Sequence, residues 1–174
     1  MIFSIGSFSV YDGLLSENSL IYDIVWMKLN FTIQGSLLQQ SGHKMYSIQK
    51  KNYGYFLTFS GLVSPDEMNR WFEDCKKELV QSPDEFVVFV DMRELAPLEQ
   101  EAMDTITQGQ KMFKRHGMMR SVVVVEKPVV NLQFVKISKL SGIHDNERVL
   151  DLMTSPNWEE AGMNWILHGI EPSV

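Results

Sequence analysis

From Met45 to the C-terminus, five short stretches, some apolar at every second residue and some continuously apolar, are interspersed with four longer ones whose apolar residues recur with a period near 3.6. The two kinds of stretch alternate after an initial pair of short ones, and a chain patterned this way folds as a sheet covered by helices. The expected order is ββαβαβαβα, an α/β fold in which an opening hairpin is followed by crossover units.

The first two strands are expected near Tyr46 to Lys50 and Tyr53 to Phe59, joined by the two-residue connection Lys51-Asn52. Ser64-Pro65-Asp66-Glu67 is a helix start: Ser64 caps, Pro65 occupies the first turn where its missing N–H costs nothing, and Glu67 completes a capping box. This helix runs to about Val80 with Met68, Trp71, Phe72, Cys75 and Leu79 on one face. Glu85 to Val90 is a continuous apolar run suited to a strand buried on both sides, ended by Asp91. A second helix is expected from Pro97 to about His116, acidic at its start and basic at its end, with Gly117 as its left-handed stop. Ser121 to Val125 is the next buried strand. A third helix runs from Pro128 to about Leu140, with Leu132, Val135 and Leu140 turned inward and Gly142 closing it. Arg148 to Met153 forms the last strand, and Ser155-Pro156-Asn157-Trp158 opens a final helix that ends at Gly169.

Residues 1–44 differ in texture. Lys28 and Lys44 are their only basic residues, Ile2–Ile5 and Lys28–Ile33 alternate like short strands, and 39–43 reads as a linker. This stretch is treated as an N-terminal extension to a domain spanning 45–174; a mis-assigned start, with translation beginning at Met45, is the alternative. The 174 residues suffice for one core, and 44% hydrophobic with 22% charged residues is a globular composition. The net charge of −6 and pI near 5.2 set the chain against nucleic acid and anionic membranes as partners. A single cysteine, Cys75, excludes an intramolecular disulfide and a multi-cysteine metal site, and fits a reducing cytoplasm. With no basic n-region and no apolar run near 18 residues, neither a secretory signal nor a membrane span is expected.

Three local pieces carry a family resemblance: Phe56-Leu57-Thr58-Phe59-Ser60-Gly61 before the first helix, Phe89-Val90-Asp91-Met92-Arg93 ending the central strand, and Glu147-Arg148-Val149-Leu150-Asp151 leading into Trp158 to Leu167. With the element order, they make the chain from about Met45 to Pro172 resemble the STAS fold, and more closely the SpoIIAA-like family of small stand-alone bacterial domains. The resemblance implies a regulatory binding domain. In the anti-sigma-factor antagonists of that fold, a serine at the start of the helix after the central strand is phosphorylated, and the added charge abolishes partner binding. The matching segment here, Asp91 to Leu98, contains no Ser, Thr or Tyr, so a phospho-switch at that position is excluded.

Residue types that carry chemistry are sparse and scattered. Ser141-Gly142-Ile143-His144-Asp145 holds the letters of a hydrolase triad, but a triad converges from separate elements, and these five residues read as a helix end and turn. Cys75 falls on the inner face of its helix and reads as core. The histidines at 43, 116, 144 and 168 lack ligand spacing, so no metal is expected; phosphate-binding glycine motifs are absent, so no cofactor is expected either. Lys111, Lys114, Arg115, His116 and Arg120 form a basic cluster that suits a helix C-terminus better than an anion site.

The candidate partner or ligand surface is therefore Asp91, Met92, Arg93 and Glu94, beyond the carboxyl end of a central strand where open α/β sheets bind ligands, with Met118 and Met119 as adaptable apolar contacts. The competing reading has Asp91 or Arg93 paired within the fold, for instance with Arg148. The expected function is a non-enzymatic cytoplasmic binding or regulatory domain with a protein partner. Alternatives are a carrier of a small apolar or lipid-like ligand between helices and sheet and, third, a hydrolase using Asp91 and Arg93. A homodimer through an edge strand or the second helix stays open.

Overall fold

A computed structural model describes residues 44–172; the expectations placed on 1–43 lie outside the described residues. The elements are β1 (Tyr46–Lys51), β2 (Gly54–Phe59), α1 (Pro65–Leu79), β3 (Phe86–Asp91), α2 (Gln100–Arg115), β4 (Met118–Val125), α3 (Pro128–Ser141), a 3-10 turn (His144–Asn146), β5 (Glu147–Asp151) and α4 (Trp158–His168). Among the described residues this is an α/β fold with a five-stranded mixed sheet and four α-helices. The strands lie side by side in chain order; β1 is antiparallel to β2, and β2 to β5 are parallel.

Alternation along each strand divides the interior in two. Leu57, Val88, Val90, Val123 and Val125 face α1, α2 and α3, meeting Met68, Trp71, Ile106, Phe134 and Ile137. Val87, Phe89, Val122, Val124 and Leu150 point the other way and are covered by Trp165 and Ile166 of α4. One helix thus covers the far face, over β3 to β5.

Local cues account for α1 in full. The Ser64 hydroxyl accepts from the Glu67 N–H, the Glu67 carboxylate accepts from the Ser64 N–H, and Pro65 opens the helix. Met68, Trp71, Cys75 and Leu79 are buried, whereas Phe72 lies at the rim with the Lys76 ammonium 4.5 Å from its ring centre.

Elsewhere tertiary contacts move the expected boundaries. The hairpin turn is Asn52-Tyr53, because Lys51 pairs with Gly54. α2 begins at Gln100 instead of Pro97. Residues before it stay extended: Leu95 bridges Gly61, and the Gln133 side chain bonds both the N–H (3.0 Å) and the carbonyl (2.8 Å) of Leu98. With those backbone groups satisfied outside a helix, nothing favours an earlier start. β4 begins at Met118 instead of Ser121, since Met118 pairs with Phe86. In α3 the buried residues are Val130, Phe134, Ile137, Ser138 and Ser141, while Leu132 is 71% and Leu140 is 55% exposed. The helix is apolar nearly all round its first two turns, so periodicity alone could not choose its inner face. α4 begins at Trp158, after a turn in which the Trp158 N–H bonds the Ser155 carbonyl.

Candidate functional site

β3 delivers Asp91 to the carboxyl edge of the parallel strands, in register with Thr58 of β2 and Val124 of β4. Two residues on, Arg93 turns back on it: Nε donates to Oδ1 at 2.9 Å, Nη2 to Oδ2 at 2.7 Å, and the Arg93 N–H also reaches Oδ1 at 3.2 Å. The same guanidinium lies over the Trp158 ring, 4.4 Å from its centre. A bidentate, stacked arginine is held by geometry as well as charge, and lysine could not replace it. Burial pushes the Asp91 carboxyl up, but the bonds from Arg93 outweigh it and the net shift is downward. The carboxylate therefore stays ionised with both oxygens engaged, a poor state for a general base.

The pair borders an open cleft of about 500 Å³ lined also by Thr58, Ser60, Glu94, Glu126 and Leu152. Glu94 and Glu126 are exposed and make no ion pair among the described residues. The Lys127 ammonium is tied to the carbonyls of Glu94 (3.3 Å) and Leu95 (2.9 Å), which braces the loop behind the cleft.

The six residues singled out in the sequence do not converge. Asp91, Arg93 and Glu94 line the cleft, but Met92 is buried beneath it in the core. Met118 and Met119 belong to the opposite edge of the sheet, because Met118 pairs with Phe86 while Asp91 pairs with Val124. That separation is about 17 Å, the rise of five strand residues at ~3.3 Å each. Met118 is buried and Met119 is half-exposed at the start of β4, so neither is loop-borne. Arg148 does not meet Asp91; it pairs with Glu171 and stacks on Trp165, 3.9 Å from the ring centre.

Other candidates resolve into structural parts. Gly142 is the left-handed cap of α3 and His144 opens the 3-10 turn, while the Ser141 hydroxyl donates to Gln110 Oε1 at 2.6 Å instead of approaching the histidine. Three of the basic residues near the end of α2 are spent on carbonyls: Lys114 bonds Gly142, His116 bonds Met112, and Arg120 bonds Ile166 and Leu167 at the end of α4. Cys75 is fully buried, and burial pushes its thiol well above the ordinary range. A thiol reagent should modify Cys75 in denaturant and leave the native protein unmodified over the same period; rapid labelling of native protein would contradict this.

A second polar constellation was not singled out from sequence. Glu147, at the start of β5, is buried in the space between the sheet and helices α1 to α3, where its carboxyl accepts from Gln110 Nε2 (3.1 Å to each oxygen) and from the Ser121 hydroxyl (2.9 Å). Burial raises this carboxyl from its ordinary 4.5 to about 7, against the pull of the Ser121 and Gln110 bonds. One signal for it was present: Gln110 sits four residues after Ile106 and three before Phe113, on the inner face of α2, and an inward amide needs a buried partner.

Comparison with known protein families, with curated proteins and with solved structures finds no match to this chain. Among the described residues no three His, Cys, Asp or Glu side chains are grouped to hold a metal, and no helix is long and apolar enough to cross a membrane.

Proposed function

We propose that this chain is a non-enzymatic binding domain, cytoplasmic and regulatory in the STAS-like manner, which receives a basic segment of a partner protein at the carboxyl edge of its sheet. The observation that carries the reading is the charge of the cleft: Asp91 and Arg93 neutralise each other, leaving Glu94 and Glu126 as the charges a partner would meet. The fixed Asp91–Arg93–Trp158 cluster provides a rigid wall beside those acids, and rigid polar surfaces favour specific docking. A hydrolase reading has less support, because Asp91 is committed to Arg93. So does a lipid-like occupant, since the space between the helices and the sheet is about 40 Å³, room for a few waters and not for an acyl chain.

Selection against a random peptide library tests the proposal. Peptides rich in Lys and Arg should be enriched, with affinity falling as salt rises. Reversing both charges with Glu94→Lys and Glu126→Lys, two exposed positions, should abolish that enrichment without loss of folding. Enrichment of acidic or uncharged peptides, or enrichment indifferent to the double reversal, would refute it.

A further inference from the structure

The cavity between the sheet and helices α1 to α3 has two polar features that a purely apolar void would lack. Its wall is mostly apolar, including Leu57, Val90, Ile106 and Phe134, yet Glu147, Gln110 and Ser121 also line it. Trp71 lines it too, and its Nε1–H is buried with no acceptor among the described residues. The contrast with the other buried tryptophan of the core is direct: Trp165 Nε1 donates to the Ser121 carbonyl at 2.8 Å. A buried donor without an acceptor costs more than a satisfied one contributes, so its retention calls for an explanation. Apolar side chains thus share the lining with a carboxyl-bearing residue and with a tryptophan whose indole N–H is unused.

Access is also legible. Glu147 lines both this cavity and a surface pocket of about 440 Å³ whose other walls include Val135, Ser138, His144 and Arg148. This residue is therefore common to the linings of the core cavity and of the β5 pocket.

We propose that the core cavity is a binding site for a small uncharged amphiphile of a few heavy atoms, whose hydroxyl group bonds Glu147 and whose apolar body lies against Leu57, Val90, Ile106 and Phe134. A hydroxyl both donates and accepts, so it suits a lining that includes the carboxyl-bearing Glu147 and Trp71 with its unused N–H. Size sets the class: a cavity of about 40 Å³ has room for a few waters, which limits the occupant to a short alcohol or a molecule of that bulk. Entry is through the β5 pocket, past Glu147. The site is independent of the cleft at the carboxyl edge of the sheet, and either can fail without the other.

The test is a titration of the full-length, ¹⁵N-labelled protein with 1-propanol, read at the Trp71 indole N–H resonance, which Trp71→Phe assigns. A saturable shift is expected. Glu147→Met removes the anchor and keeps the bulk, and it should weaken propanol by about tenfold while leaving xenon binding in place. Val90→Leu, which narrows the wall, should weaken both probes; should it fail to fold, Val123→Ile narrows the same space. A shift that grows linearly and equally in every variant, xenon binding without propanol binding, or a crystal grown in propanol with only water in the cavity would each overturn the proposal.

Discussion

Between pH 4.5 and 8 the protein should lose about 3 kcal/mol of folding stability that Glu147→Gln does not lose, the equivalent of a carboxyl whose pKa moves from 4.5 to about 7 on folding. Below 4.5 the group is protonated in both states and burial is not opposed. Above that value the unfolded chain ionises while the folded one holds its proton, so stability declines with each pH unit. The decline ends a little above 7, where the folded state ionises as well. The stabilising contribution of the protonated form is thus complete below the unfolded pKa and gone once pH has risen through the folded one. The cause is desolvation: Glu147 is buried, and the bonds from Ser121 and Gln110 offset only part of what water would have supplied. The facing groups are the uncharged Gln110 and Ser121, while His144, Asp145 and Arg148 border the adjoining surface pocket. Urea midpoints at several pH values, taken as wild type minus variant, cancel the histidines and other carboxyls common to both. Parallel stability curves for the two proteins would show that Glu147 titrates normally.

The parts of the fold legible in the sequence are those whose causes lie within a few residues. Ser64, Pro65 and Glu67 contain every interaction that starts α1, and the apolar runs of β3 and β4 mark strands covered on both faces. Where the decisive partner is distant, the reading shifts or fails. α2 starts late because of Gln133, which belongs to the next helix, and β4 starts early because Phe86 gives Met118 a ladder partner. The inner face of α3 depends on which apolar side meets the sheet, a choice its own residues leave open. The same division applies to the candidate sites. Asp91 and Arg93 are near neighbours and their place at a strand end is local information, but the stacking of Arg93 on Trp158 joins the end of β3 to the first residue of the last helix. Glu147 illustrates the limit, since its network draws one side chain from each of α2, α3, β4 and β5. Met118 and Met119 show the converse error: adjacent to a loop in sequence, they are placed by strand register on the opposite edge of the sheet.

Gly117→Ala should destabilise the protein by about 3 kcal/mol or more, and by clearly more than Gly142→Ala, although both glycines follow a helix and both have positive φ. The common cost is conformational: an L-residue at φ of +99° or +74° pays about 1–2 kcal/mol in the left-handed region. What differs is the surroundings. A Cβ on Gly142 would find nothing nearer than the Lys114 ammonium at 4.0 Å, an ordinary van der Waals distance. A Cβ on Gly117 would stand 1.8 Å from the Asp84 carbonyl oxygen and 2.8 Å from its carbon, and backbone cannot rotate aside. That contact is how the chain between α2 and β4 passes under the loop entering β3, where the Phe86 N–H bonds the Gly117 carbonyl at 3.2 Å. Relief would require β3 and β4 to separate at their first residues, beside the existing register shift at Phe86 and Val87, and would loosen Met118 in the core. Chemical denaturation of the two variants decides the matter. Similar losses would mean that the Asp84 loop yields freely, and that the close approach at Gly117 does not hold the two central strands in register.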